Sequence, residues 1–177
     1  MNTLQTIANR HSYRGIYQNI PVPREHLTKI LEAGCAAPSG CNKQTTSFIA
    51  VDDPQVLAKL HHVIDPPLGV SAPAMICVLT QKIIAYQDRT FYIHDYSAAI
   101  ENMLLAITAL GYASCWVEGH VTDLDRIGDK MAAILGVPNE YKLIAYLPVG
   151  IAAEAGKRVK KKSFEERAWF NGFGKAE

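Results

Sequence analysis

Two guanidinium groups lie four residues apart near the start of the sequence, in the run Arg10-His11-Ser12-Tyr13-Arg14. Arginine binds phosphate through paired, charge-assisted hydrogen bonds, and the Ser12 hydroxyl adds a short neutral donor. The composition of this run therefore predicts a phosphate-binding site. A short basic stretch also occurs on ordinary solvated surfaces, so the run by itself leaves both interpretations open.

A second candidate, which we call the carboxamide loop, is the run Ala37-Pro38-Ser39-Gly40-Cys41-Asn42-Lys43-Gln44. A carboxamide presents a hydrogen-bond donor beside an acceptor, which matches the edge of a flavin pyrimidine ring or of a nucleobase. The alternative is an ordinary turn between a helix and a strand, in which Asn42 satisfies nearby backbone groups.

The third candidate is the run Gly111-Tyr112-Ala113-Ser114-Cys115-Trp116-Val117-Glu118-Gly119, where a strand-like segment ends at a glycine after an acid. Glycine permits a backbone N–H to approach a planar ligand closely. The alternative is a tight strand exit with Trp116 in the core, and the spacing alone does not decide between them.

Apolar periodicity and turn signals predict the elements that would position these clusters. Helices are predicted over residues 2–10, 24–37, 54–63, 95–110 and 123–135. Strands are predicted over residues 47–51, 74–80, 112–117 and 143–150. The two kinds of element are interleaved without a repeat or linker, so one α+β domain over residues 1–177 is expected. Residues 151–177 differ in composition and are expected to form a basic, aromatic C-terminal arm.

The helix over residues 95–110 is apolar nearly all the way round. A helix without a polar face must be buried on every side, and a small domain offers little room for that. A second subunit is therefore expected to cover part of it, which predicts a homodimer.

Composition and charge argue against several classes of function. The formal net charge is only +1, which argues against nucleic acid or an acidic membrane as a partner. The cysteines form no CxxC pair and have no histidine in zinc-finger spacing, so no metal site and reduced thiols are expected. There is neither a signal-like start nor an apolar run of about 18 residues. A cytoplasmic protein that is not inserted in a membrane is therefore predicted.

Taken together in this order, the three clusters resemble the nitroreductase family, which shows R-x-S-x-R, A-P-S-x-x-N-x-Q, a helix leading to S-x-W-x-x-G, and a late L-x-x-G. The matching segments here are residues 10–14, 37–44, 95–119 and 147–150. The resemblance implies an intertwined homodimer whose mixed central β-sheet is flanked by helices. It also implies FMN as cofactor and NADH or NADPH as co-substrate.

The resemblance assigns roles to individual residues. Arg14 would reach the ribityl chain and the N1 side of the ring, where a cation favours the negative charge of the reduced flavin. The backbone of Glu118 and Gly119 would contact N5. Asn42 would bind the pyrimidine edge, with Pro38, Ser39 and Gly40 lining the ring from the neighbouring subunit. Lys161 is aligned with a late phosphate ligand, in competition with other basic residues of the arm. The full set of cofactor-binding residues so implied is Arg10, His11, Ser12, Arg14, Pro38, Ser39, Gly40, Asn42, Gln44, Glu118, Gly119, Arg158 and Lys161.

The resemblance implies a ping-pong reaction in which hydride passes from NAD(P)H through FMN to a small electron acceptor such as a nitroaromatic or a quinone. No side-chain nucleophile is needed, because the flavin performs the chemistry. A specialised member, such as a reductive dehalogenase or a flavin-fragmenting enzyme, is a second possibility. A non-catalytic FMN-binding redox sensor is a third, of a different class.

The sequence departs from the family pattern in three places. Thr45 stands where the family usually has proline. Cys41 is interpreted as a small buried residue in preference to a thiol beside the flavin. Only residues 81–94 remain to build a substrate lid, in which Tyr86, Phe91, Tyr92 and His94 either stack over the flavin or pack on their own core.

Overall fold

A computed structural model describes residues 2–122 and 126–174. The helices are α1 (Thr3–Asn9), α2 (Arg24–Cys35), α3 (Pro54–Val63), α4 (Tyr92–Ala109), α5 (Gly119–Thr122) and α6 (Ile127–Leu135). The strands are β1 (Thr46–Val51), β2 (Ala74–Thr80), β3 (Ile84–Tyr86), β4 (Arg89–Thr90) and β5 (Lys142–Val149). A single turn of 3-10 helix spans Gly40–Asn42.

The central sheet has the order β1-β2-β5, and both strand pairs are antiparallel. Every residue of β2 is buried, as expected for a central strand that is covered on both faces. A parallel bridge joins Ser12 to Ser114 outside the named strands. The named strands of the central sheet themselves pair only in the antiparallel sense.

Side chains of β2 alternate between two hydrophobic cores, as the pleat of a strand requires. Ala74, Ile76 and Val78 face the core that contains the buried side of α4 and part of α2. Met75, Cys77 and Leu79 face the core formed with α3 and α6. The domain thus has one helical layer on each face of the sheet, and the predicted α+β class is confirmed.

Helix α4 lies deeper in its own chain than the sequence predicts. Its buried residues Ile100, Met103, Leu104 and Ile107 all belong to the first core. Only Ile93 among its large apolar residues is exposed. The expectation of a large apolar patch on this helix is therefore wrong, because α2 and the sheet already cover it. The exposed large apolar side chains lie mostly on α1 and in the arm, and include Leu4, Ile7, Val159, Phe164, Phe170 and Phe173.

Two predicted elements differ most in the structure. Residues 112–117 form only two separate bridges, from Val117 to Tyr146 of β5 and from Ala113 to Gly150 just after it, so they form no continuous strand. The helix predicted from residue 123 is seen from Ile127 onward, and Arg126 before it has a left-handed backbone (φ 51°) that is not α-helical. Residues 123–125 of that prediction lie outside the described residues.

The described part of the arm, residues 151–174, contains neither an α-helix nor a β-strand. Its first residues pair with the segment after the Arg10–Arg14 run, where Ala153 N donates to Ile16 O at 2.9 Å. Residues 81–91 form the short β3–β4 hairpin, with Gln87 and Asp88 at positive φ in its turn. Across the described ranges, no helix combines the length and the hydropathy needed to cross a membrane.

Candidate functional site

Arg10 follows α1 directly and is held against α4. Its Nε lies 3.1 Å from Oε1 of Glu101, and the side chain is about one-quarter exposed, at 26%. This Nε is buried and faces the Glu101 carboxylate as its ion-pair partner. Arg10 is therefore anchored by an acid of α4.

The first and third sequence clusters meet in the structure. Ser12 and Ser114 form a parallel bridge, and Tyr13 N donates to Ser114 O at 2.8 Å. A cavity of about 240 Å³ at this junction is lined by residues that include Arg10, His11 and Ser114. The Ser114 hydroxyl is buried without a hydrogen-bond partner among the described residues. An unsatisfied hydroxyl and a guanidinium group therefore belong to the lining residues of one cavity.

The arm runs past the same junction. Ser12, Arg14 and Lys157 line a neighbouring cavity of about 380 Å³, and Glu154 lines both cavities. Arg14 is exposed. The close approach of the arm requires Gly156, because a Cβ there would lie 2.5 Å from His11 Nε2.

The predicted basic residues of the arm are placed differently from one another. Arg158 Nη2 donates to Asn9 Oδ1 at 3.0 Å, and Asn9 lines the same cavity as Arg10. Lys161 is exposed and lines neither of the two cavities. Lys157 is one of the basic residues that compete with Lys161 for the phosphate. It lines one of the two cavities together with Ser12 and Arg14.

The carboxamide loop forms a tight turn with an unusual backbone. Cys41, Asn42 and Gln44 have φ values of 50°, 52° and 49°, in the left-handed region that residues with a Cβ rarely adopt. Ser39 Oγ accepts a hydrogen bond from Gln44 N at 2.9 Å. Asn42 and Gln44 are exposed, as binding residues would be. The prediction that Cys41 is buried is wrong, because this turn lies outside both cores and leaves the residue exposed.

A buried carboxylate on α4 holds this loop. Asp95 Oδ1 accepts a hydrogen bond from Gly40 N at 2.7 Å, and Oδ2 accepts one from Thr45 Oγ1 at 2.7 Å. Asp95 is 4% exposed and Thr45 is 2% exposed. Sequence reasoning missed both residues as parts of the site. The signals were an acid at the start of an apolar helix and a hydroxyl where the family pattern has proline.

The Glu118 side chain is oriented from the first turns of α4. Tyr96 Oη donates to Glu118 Oε1 at 2.7 Å, and burial together with this acid raises the pKa of Tyr96. The two residues line a cavity of about 350 Å³ that also contains Lys82 and Arg126. Gly119 follows Glu118 and is exposed, and a Cβ built on it would meet nothing within 4 Å.

The lid residues fall into two groups. Phe91 packs against Gly40, where a Cβ would lie 2.6 Å from the phenylalanine ring, and Tyr92 packs against the first core. Tyr86 and His94 are exposed. The aromatic loop therefore packs partly on its own chain and partly projects from it.

Within the described part of one chain, the carboxamide loop lines a different cavity from the Arg10–Arg14 run. The carboxamide loop lines a small cavity of about 90 Å³ together with Asp95 and Thr45. None of the loop residues lines the two cavities beside Arg10 and Ser12. Across residues 2–122 and 126–174, no group of three or more histidine, cysteine or acidic side chains is placed to hold a metal ion.

The chain is similar in sequence and in fold to known proteins. Residues 7–66 and 64–151 match the model of the nitroreductase family. A protein of Methanothermobacter thermautotrophicus, with the provisional name NADH dehydrogenase/NAD(P)H nitroreductase, is 30% identical over 157 residues, which is 87% of this chain and 79% of the relative.

Two solved structures have the same fold over almost the full length. A nitroreductase with bound FMN from Bacteroides fragilis is 28% identical, with a TM-score of 0.76 over 97% of this chain and 100% of the other. An FMN-dependent nitroreductase from Clostridium difficile is 27% identical, with a TM-score of 0.79 over 96% and 99% of the two chains. The family match covers most of the sequence and includes all three clusters, so this chain belongs to the nitroreductase family.

Proposed function

We propose that this chain is an FMN-dependent oxidoreductase that uses NADH or NADPH to reduce small electron-poor acceptors, such as nitroaromatics or quinones, in a ping-pong order. The observation that carries the proposal is the buried Ser114 hydroxyl, which has no hydrogen-bond partner among the described residues and whose residue lines one cavity with Arg10. Buried polar groups normally have partners, so an unmet hydroxyl beside a guanidinium and a cavity supports a polar ligand there. When bound, FMN would accept hydride and pass electrons on.

The phosphate end of the cofactor fits the junction of the Arg10–Arg14 run with the arm. Arg10 and Ser12 would provide hydrogen bonds, and Lys157 adds a cation beside them. Glu154 carries the opposite charge, but three basic residues, Arg10, Arg14 and Lys157, line the same two cavities. Arg158, which is hydrogen-bonded to Asn9, would hold the arm over the phosphate.

The ring end of the cofactor would lie toward Arg14 on one side and Glu118 on the other. A guanidinium near N1 stabilises the negative charge that reduction leaves there. The open space at Gly119 allows its backbone N–H to approach N5. The hydrogen bond from Tyr96 fixes the Glu118 side chain and with it the start of this segment.

We also propose a homodimer with a flavin site at each end of the subunit interface. The carboxamide loop is exposed and separate from the Arg10 junction, so it would serve the flavin of the neighbouring subunit. The exposed apolar side chains of the arm, including Phe164, Phe170 and Phe173, suit a segment that packs on a partner.

An anaerobic titration tests the function. Purified protein loaded with FMN should lose its yellow absorbance on addition of NADH or NADPH and regain it on addition of a nitroaromatic or a quinone. A bound flavin that is inert to both nicotinamides would contradict the enzyme and favour a binding protein. Failure to bind added FMN at all would contradict the whole proposal.

A further inference from the structure

We propose that Asp95 is a positioning residue that holds the carboxamide loop in the conformation that binds flavin. The inference rests on the proposed function, since it assigns the loop to the flavin. The proposed role is indirect, because Asp95 is buried and its carboxylate is occupied by the loop itself.

The geometry is that of a staple across the two ends of the turn. Gly40 lies at the start of the 3-10 turn and Thr45 follows the loop directly, and each donates a 2.7 Å hydrogen bond to a different oxygen of Asp95. Hydrogen bonds to a buried carboxylate are stronger than those between neutral groups. One side chain therefore fixes the distance between the two ends.

The backbone between these ends needs such support. Cys41, Asn42 and Gln44 all have positive φ, and only Asn among them is commonly found there. Strained backbone persists only where the surrounding structure over-determines it. Released from Asp95, the loop is expected to relax toward ordinary φ values, which would redirect the Asn42 carboxamide.

Other contacts also hold the loop, including the hydrogen bond within it from Gln44 N to Ser39 Oγ. Thr45 O accepts from Gln81 N at 2.9 Å, which ties the end of the loop to the end of β2. Phe91 packs against Gly40 at the start. Among the described residues, Asp95 is the side chain outside the loop that hydrogen-bonds to both Gly40 and Thr45, so its loss should affect the whole turn.

The chemistry of the site defines informative substitutions. A carboxylate only accepts hydrogen bonds, and both of its partners are donors. Asp95→Asn would place an amide N–H against one of the two donors. Thr45→Val removes one donor at nearly constant volume, and Thr45→Ser keeps the hydroxyl.

The matched control is Asn102→Ala. Asn102 is also on α4, and its Nδ2 donates to Ala33 O of α2 at 3.1 Å, so it links two helices without touching the loop. The Asn102→Ala substitution should lower the melting temperature without changing the flavin site. FMN affinity, the spectrum and midpoint potential of bound FMN, and amide exchange at Gly40 in flavin-free protein are measured for each variant.

We expect Thr45→Val to weaken FMN binding by about 10-fold or more, and Asp95→Asn by at least as much. Both should shift the spectrum or potential of the flavin that still binds and speed exchange at Gly40. Thr45→Ser should stay within about threefold of the unmodified protein. A purely structural role would lower stability and leave the spectrum and potential of bound FMN unchanged.

The proposal is overturned if Thr45→Val binds FMN like the unmodified chain, if Thr45→Ser binds as weakly as Thr45→Val, or if Asn102→Ala has the same effect on the bound flavin. If Asp95→Asn does not fold, the Thr45 pair decides. An unmodified protein that fails to bind FMN refutes the proposed function instead, and exchange at Gly40 in the flavin-free variants still tests the staple.

Discussion

Tyr96 Oη donates a 2.7 Å hydrogen bond to Oε1 of Glu118, which ties α4 to the segment that begins α5. The phenol is buried, and its pKa is raised by that burial and by the acid it contacts. Tyr96 therefore remains a neutral donor at the pH of any ordinary assay. Its hydroxyl sets the position of Glu118, the residue before the proposed N5 contact.

Tyr96→Phe should preserve the packing and remove this hydrogen bond. We expect the free energy of unfolding to fall by about 1.5 kcal/mol, the lower end for a bond to a charged group, because Glu118 is half-buried. Anaerobic flavin reduction should also become slower. Chemical denaturation and stopped-flow absorbance measure the two effects. The control is Tyr92→Phe, which removes the hydroxyl of the tyrosine whose ring contacts Tyr96. Equal effects of the two variants would contradict the role of the bond.

Arg10→Ala should remove a charge-assisted contact to the FMN phosphate. The expected loss of about 1.5–3 kcal/mol corresponds to roughly 10- to 150-fold weaker FMN binding, measured by fluorescence titration. Arg24→Ala is the matched control, because Arg24 makes an exposed ion pair with Asp52 on the surface. Unchanged affinity in the Arg10 variant would place the phosphate elsewhere.

Arg14→Met should lower the midpoint potential of bound FMN, because the cation stabilises the reduced ring more than the oxidised ring. A shift of tens of millivolts is expected, since about 30 mV corresponds to about 1.4 kcal/mol in a two-electron couple. Spectroelectrochemical titration measures it, and Arg14→Lys should retain most of the potential. An unaltered potential with FMN still bound would rule out the electrostatic role.

Sedimentation at submicromolar concentration should give twice the chain mass of 19.5 kDa. Phe170→Glu should weaken the dimer and spare the fold, because Phe170 is 58% exposed in the single chain. Leu104 is a poor site for the same test, since it is 5% exposed and belongs to the core of its own chain. A stable yellow monomer would refute the shared flavin site.

The sequence predicts an element well where its ends carry local signals. Helix α3 has the predicted bounds, because Asp53 caps its start and Pro54 occupies the first turn. Helix α4 begins three residues before the predicted start, at Tyr92. Its N-cap Phe91 makes no side-chain capping bond, so no local signal in the sequence marks this start. The start of α6 at Ile127 likewise follows a left-handed backbone at Arg126, which the sequence does not signal.

The site was predictable as separate clusters and not as an arrangement. The residue types of the Arg10–Arg14 run and of residues 111–119 indicate their chemistry locally. Their contact through Ser12 and Ser114 joins segments that are far apart in the chain, and only the folded sheet reveals it. The same holds for Asp95 and Thr45, which are 50 residues apart.

Asp95 and Tyr96 are neighbours in the chain, yet one holds the carboxamide loop and the other holds Glu118. If the loop serves the partner's flavin, a defect at Asp95 damages the partner's site and a defect at Arg10 damages the chain's own. A hybrid of an Asp95→Asn chain with an Arg10→Ala chain then concentrates both defects in one site and leaves the other intact. Two chains that are each impaired as homodimers would thus complement each other when mixed.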